Sequence, residues 1–224
     1  MSETPTRQSP IHPWLEARKA DWSFIGTTPI AFRLQEQETE RAAMKTLGLC
    51  DLSALAKLGV KGPDAHGWLQ DQQVDVPDGI YESRRLADGG VIVRLAPDEF
   101  LLEGGITNES LPALRGQMDS PHGQVVHIVR EEATFLLIGA RSLEVLAQTC
   151  GINFHEAGPR CLILTRVAGV SCGVFPDPIK EISAYRLWVD PSYAVYLWET
   201  LVEICESLGG HPIGAGCIFP ELLE

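Results

Sequence analysis

LGLCDLSALAKLGVKGPDAHGWLQDQ, residues Leu47–Gln72, decides how this chain folds. It reads as a helix end, a polar turn, a short alternating strand "AKLGV", a Gly-Pro-Asp turn and a second helix. Leu58 and Val60 share one face of the strand. Gly62 ends it. Pro63 suits the first helical position, where its missing N–H would be an orphan in any case. Asp64 complements the positive end of the helix, and Trp68 and Leu69 are expected to face inward. The same order of elements returns in EEATFLLIGARSLEVLAQTCGI, Glu131–Ile152. There the strand is "TFLLI", the turn is Gly139 and the helix is "ARSLEVLAQTC". Aligning Gly62 with Gly139 brings Leu58 and Val60 onto Phe135 and Leu137, and Leu69 onto Leu146. A strand–Gly–helix unit used twice implies two related halves.

The flanking sequence fits that plan. "ADWSFIGTTPIAFRL" has the aromatic and β-branched content of a strand pair around a turn. "QEQETERAAMKTLGL" reads as a helix with Glu36 and Glu38 in its first turn, Lys45 in its last and Gly48 at its end. Between the copies, "VIVRL" and "EFLLEGG" are strands joined by "APDE". After the second copy, "CLILTRVAGVSCGVF" and "ISAYRLWV" form another strand pair with "PDPIKE" between them. The last long element, "DPSYAVYLWETLVEICESLGG", places Asp190 as N-cap, Pro191 in the first turn and Gly209 past the end. Ala194, Leu197, Trp198, Leu201, Val202 and Cys205 recur along it at helical spacing, as a core-facing stripe does. The fold class expected is α+β, one two-layer domain with two pseudo-symmetric strand–helix halves. Residues 1–12 are expected to be a mobile, Pro-rich tail and residues 13–224 the single domain.

Composition excludes several function classes. The 224 residues are 45% hydrophobic and 21% charged, and the formal net charge is −12. So acidic a surface repels phosphate backbones, so no nucleic-acid partner is expected. The N-terminus has no signal-peptide pattern, and no run approaches the roughly 18 apolar residues of a membrane span. A cytoplasmic location follows as an expectation, with Cys50, Cys150, Cys161, Cys172, Cys205 and Cys217 as reduced thiols. Cys150, His155 and Cys161 lie near one another, but their spacing is loose and a fourth ligand is not evident, so no metal site is expected. No P-loop, GxGxxG fingerprint or GxSxG elbow occurs. "VKGPDAHGWL" could offer a helix N-terminus to an anion, but Pro63 removes a donor and Asp64 repels the charge. It reads as a packing turn.

"GLCDLSALAKLGVKGPDAHGWLQDQQVDVPDG" resembles the signature of the aminomethyltransferase (glycine-cleavage T-protein) superfamily, an Asp-x-Ser turn followed by a strand and a Gly-Pro-Asp-Ala helix. "SPIHPWLEARKADW" is similar to the N-terminal opening of its folate-binding domain, and "AYRLWVDPSYAVYLWETLVEICESLGGHPIGAG" to its end. The resemblance covers residues 10–217 and implies a fold of two related halves around a tetrahydrofolate pocket. It puts Tyr81, Glu103 and Arg186 in that pocket as cofactor-binding positions. Three departures matter. Full-length members continue past the point matching "HPIGAGCIFPELLE" into a further β-domain. The acid they carry after a Gly-Gly turn is absent here, because Val91, Ile92 and Val93 follow Gly89 and Gly90. Arg186 replaces the Glu that would accept hydrogen bonds from the pterin ring, and Arg has only donors.

In length and in the phrase "YRLWVDPSYAVYLWETL" the chain looks like the small gamma subunit of heterotetrameric sarcosine oxidase and of related N-methylamine-oxidising complexes, dimethylamine monooxygenase among them. The resemblance implies an accessory, gamma-type subunit of an oxidoreductase that oxidatively N-demethylates small amines. Such a subunit is mainly structural, with a degenerate folate-type pocket and no catalytic residues of its own. Larger redox subunits would be its partners and would hold the redox cofactors. Trp14, Trp22, Tyr193 and Tyr196 are candidate anchors for them. The alternatives are a stand-alone tetrahydrofolate-dependent aminomethyltransferase or demethylase, and a folate-binding regulator whose Lys-Gly-Cys-Tyr-x-Gly-Gln-Glu hallmark this sequence lacks.

Overall fold

The computed structural model describes residues 7–118, 123–156 and 161–223. The first part of the chain forms α1 (His12–Ala17), β1 (Asp21–Ile25), β2 (Thr28–Arg33), α2 (Gln37–Thr46), β3 (Gly48–Asp51), β4 (Lys57–Lys61) and α3 (Ala65–Asp71). Then come β5 (Ser83–Arg85), β6 (Val91–Ala96), β7 (Glu99–Glu103), α4 (Ser110–Met118), β8 (Val126–Ile128), β9 (Ala133–Ile138) and α5 (Ser142–Thr149). The last part forms β10 (Ile163–Val167), β11 (Val170–Pro176), β12 (Ala184–Val189), α6 (Ala194–Ser207) and β13 (His211–Ile213). The fold is mixed α+β. It divides into two compact units, one assembled from Met1–Ala54, Glu132–Pro159 and Ile163–Glu224, the other from Leu55–Glu131 and Arg160–Leu162.

The first unit carries a six-stranded sheet in the order β10-β11-β12-β9-β3-β13 and a separate β1–β2 hairpin. Its pairs are antiparallel except β13 with β3. β9 and β12 are buried along their whole length; "TFLLI" in β9 reads as a nearly continuous apolar run, while β12 carries Arg186 among its apolar residues. Ala168 and Gly169 both have positive φ, the backbone of a two-residue hairpin turn whose twist matches its strands. The α6 stripe read from the sequence is buried residue for residue and packs into one core with Phe135, Leu137 and Leu146. Asp190 caps the short turn before α6 by accepting from the Ser192 N–H at 2.9 Å.

The second unit is a five-stranded antiparallel sheet, β5-β6-β7-β4-β8, covered by α3 and α4. Leu58, Val60, Trp68 and Leu69 enter its own core with Phe100, Leu102 and Leu111. The doubled sequence unit is therefore shared out, one copy to each core. Its two glycines behave alike: φ is +135° at Gly62 and +115° at Gly139. A Cβ would overlap the Gln124 carbonyl at the first and the Thr46 carbonyl at the second. Register between β4 and β7 is pinned by charge, with Lys57 opposite Glu103 and Lys61 opposite Glu99.

Several sequence expectations need correction. Gly48 does not end the preceding helix; it opens β3, whose four residues are all buried because β9 and β13 flank it. Pro63 lies one residue before the helix cap, which is Asp64. The Asp64 carboxylate makes no capping bond and instead accepts from the Gln124 N–H at 2.8 Å. α4 and β8 were not anticipated. Of the expected tail, residues 1–6 lie outside the described residues, while Ser9 and Ile11 are buried and Ile11 joins the core. Trp14 packs edge-on against Trp198 at 5.3 Å under the Arg18 guanidinium, and Trp22 also leans on the core. Tyr193 and Tyr196 are exposed. Among the described residues no helix is long and apolar enough to cross a membrane.

Candidate functional site

Arg186 lies in β12, opposite Leu136 of β9 and Phe175 of β11. Strand alternation sends Tyr185, Leu187 and Val189 into the core and leaves Arg186 on the other face. The chain leaves β11 at Asp177, whose N–H donates to the Ala184 carbonyl at 2.8 Å. That closure sets the Asp177 carboxylate beside the guanidinium. Arg186 Nε and Nη2 both donate to Asp177 Oδ2, at 2.7 and 2.6 Å. The side chains are 4% and 3% exposed. Two charge-assisted bonds in a dry setting make a strong but costly pair, because both ions have left water.

Glu103 ends β7 in the second unit and is fully buried. Lys57 Nζ, directly across the ladder, lies 3.1 Å from its Oε2, and neither side chain touches solvent. The Lys57 backbone carbonyl accepts from Arg115 Nη2 at 2.7 Å, which ties α4 to the same strand. Tyr81, in the same unit as Glu103, has φ +66°. A left-handed tyrosine is uncommon and costs energy. It is held there by its N–H donating to the Arg94 carbonyl and its carbonyl accepting from the Leu162 N–H, both at 2.7 Å. Its ring is partly exposed.

No acid takes the place after Gly89-Gly90, since Val91, Ile92 and Val93 are buried strand residues. Asp88, just before the glycines, is turned to the backbone: Oδ1 accepts from the Gly90 N–H at 3.0 Å and Oδ2 from the Ser110 N–H at 3.1 Å. Burial alone would raise its pKa, but the donors from Ser110, Gly90 and Gly105 outweigh that and hold it below the ordinary carboxylate value. The Asp-x-Ser turn is also structural. Asp51 Oδ1 accepts from the Ser53 N–H and hydroxyl, and Ser53 Oγ accepts from the Thr134 N–H of β9.

Burial pushes the Cys172 and Cys205 thiols up to about 12 and Cys217 to about 11. Thiols so protonated are weak nucleophiles. Cys150 Sγ sits 3.4 Å from Thr165 Oγ1. A cleft of about 320 Å³ in the second unit is lined by Gln72, Gln73, Leu86, Ser110, Leu114 and Gln117, and takes in neither Tyr81 nor Glu103.

Tyr81 and Glu103 thus belong to one unit and Arg186 to the other. The residues that sequence reasoning missed are the countercharges, Lys57 and Asp177. Lys57 had a readable signal, a charge that alternation sets on the same strand face as Gly59. Asp177 had none, because "PDPIKE" reads only as a connection.

A family model described as the GCVT N-terminal domain matches residues 11–219. The aminomethyltransferase of Thermotoga sp. (strain RQ2) is 23% identical over 96% of this chain and 62% of that protein. The aminomethyltransferase of Alkaliphilus metalliredigens (strain QYMF) is 23% identical over 94% and 61%. The chain therefore spans about six-tenths of the length of these curated relatives. Among solved structures, the glycine cleavage system aminomethyltransferase T from Bartonella henselae superposes with a TM-score of 0.78 at 17% identity, over 94% of this chain and 60% of that one. A chain of the heterotetrameric sarcosine oxidase from Corynebacterium sp. U-96, in complex with pyrrole 2-carboxylate, gives 0.62 at 20% identity, over 88% and 93%. These likenesses establish the fold, a mixed α+β domain of the T-protein N-terminal kind.

Proposed function

We propose that this chain, which belongs to the GCVT N-terminal domain family, is an accessory subunit of a multi-subunit oxidoreductase that oxidatively N-demethylates small amines. In this reading it is one T-protein-like domain with a degenerate folate-type function, in which Tyr81, Glu103 and Arg186, the positions the resemblance assigns to folate, no longer suit a pterin. Larger partner subunits hold the redox cofactors. The observation that carries the reading is the buried Arg186–Asp177 pair. A pterin edge presents N–H donors and needs an acceptor, and Arg186 offers only donors, already engaged by a carboxylate. Glu103 could accept, but Lys57 engages it. Opening a buried pair by removing its partner costs about 3–5 kcal/mol. A ligand that had to do so would forfeit about half of the roughly 8 kcal/mol that micromolar binding represents. The sarcosine oxidase likeness, spanning 93% of that chain, supports the same reading.

The names of the curated relatives favour a second reading, a stand-alone tetrahydrofolate-dependent aminomethyltransferase. An assay of the purified chain with methylene-tetrahydrofolate, ammonia and a lipoyl carrier separates the two. No turnover is expected, and Arg186→Glu alone is not expected to create any. Turnover at about 1 s⁻¹ or faster would establish the transferase instead. Calorimetric titration with tetrahydrofolate is expected to show binding weaker than about 1 μM, and a tighter constant would mean a working pocket.

A further inference from the structure

An α-helix turns by about 100° per residue. On α6, Ala194, Leu197, Trp198, Leu201, Val202 and Cys205 fill the buried side. Val195, Tyr196, Glu199, Glu203 and Glu206 fall within an arc of about 100° on the opposite side, and all of them are exposed. Val195 is 44% exposed and Tyr196 54%, and Tyr193, in the turn just before the helix, is 56% exposed. The Tyr196 hydroxyl donates to the Ala168 carbonyl at 3.2 Å, which fixes the ring in place on the surface.

The electrostatics of this face are unfavourable in isolation. α6 contains no Lys or Arg. Among the described residues none of its three glutamates forms an ion pair. Glu199 and Glu203 are like charges four residues apart and repel. Glu206, in the last turn, faces the negative end of the helix dipole. One kind of partner offsets all of this at once. An arginine stacks on a tyrosine ring and pairs with carboxylates, and lysines one helical turn apart meet the remaining charges. A second copy of the same acidic face, or a nucleic acid, is repelled.

We propose that the outward face of α6 is where a larger subunit of the complex docks a basic stretch bearing Arg and Lys. The proposal rests on the accessory-subunit reading, and two measurements keep the two apart. Carbodiimide, which joins carboxylates to amines without a spacer, is applied to the complex isolated from its own cells, and the links are mapped by mass spectrometry. The triple variant Glu199→Lys/Glu203→Lys/Glu206→Lys is then co-expressed with the subunits found. Links from Glu199, Glu203 or Glu206 to lysines of a larger subunit are expected. Charge reversal is expected to lower recovered complex by about tenfold at low salt, because like charges then meet across the interface. The isolated variant should melt no lower than the parent chain. If it does melt lower, E199Q/E203Q/E206Q takes its place, with an expected loss of about threefold. An intact complex whose links map elsewhere and whose recovery is unchanged by the variants overturns the α6 assignment and leaves the subunit reading standing. Links between two copies of this chain also overturn it. Finding no complex overturns both.

Discussion

Glu103→Leu is expected to cost about 3–5 kcal/mol of stability, the usual loss when one partner of a buried ion pair is removed. The remaining Lys57 ammonium has no contact with solvent, so it cannot recover the hydration it gave up on folding. Lys57→Met should do similar damage by removing the cation that faces the buried carboxylate. The double variant Lys57→Met/Glu103→Leu is expected to regain most of the loss, because two apolar side chains of similar length fill the same space without charge. Urea unfolding of the four proteins measures this as a double-mutant cycle. A single-variant loss below about 1 kcal/mol would mean that the pair is solvated in solution and does not hold β4 to β7.

The second large effect is expected at the two glycines of the doubled unit. Gly62→Ala and Gly139→Ala should each cost about 3 kcal/mol or more, combining an unfavourable φ with overlap of a backbone carbonyl. The overlap cannot be relieved by a rotamer change, since the Gln124 and Thr46 oxygens are main chain. Gly67→Ala is the control. A Cβ there meets nothing within 4 Å, and the residue lies inside α3. Alanine should leave stability unchanged or raise it by about 0.5–1 kcal/mol. Thermal midpoints of the three variants decide the matter. Equal midpoints for Gly62→Ala and Gly67→Ala would remove the reason given for the repeated glycine.

What was legible in the sequence was local. A period of two along "AKLGV", an apolar run in "TFLLI", a period near four along α6, and a glycine between strand and helix all act within a few residues. The signature turn was also legible, since Asp51 closes on Ser53 two positions away. β3 was not, because its four residues owe their strand state to β9 and β13, which lie far away in the chain. α4 carries Pro112 and Gly116, which blur a helical pattern; the proline sits in the first turn, where its missing N–H would have no helical partner, and Leu111 and Leu114 anchor the helix in the core. The candidate site was half legible. Arg186 and Glu103 were reached through the family resemblance, not through the strand pattern. Their partners could be named only after strand register placed Lys57 opposite Glu103 and the β11–β12 connection placed Asp177 beside Arg186. The left-handed backbone of Tyr81 depends on hydrogen bonds to Arg94 and Leu162 that no local pattern announces.

Native mass spectrometry of the untagged protein, purified from the cells that make it, tests the central claim most directly. The accessory-subunit account predicts that the 24.5 kDa chain appears within a larger assembly whose other members are redox proteins. A clean, stable 24.5 kDa monomer with no co-purifying subunit would contradict it.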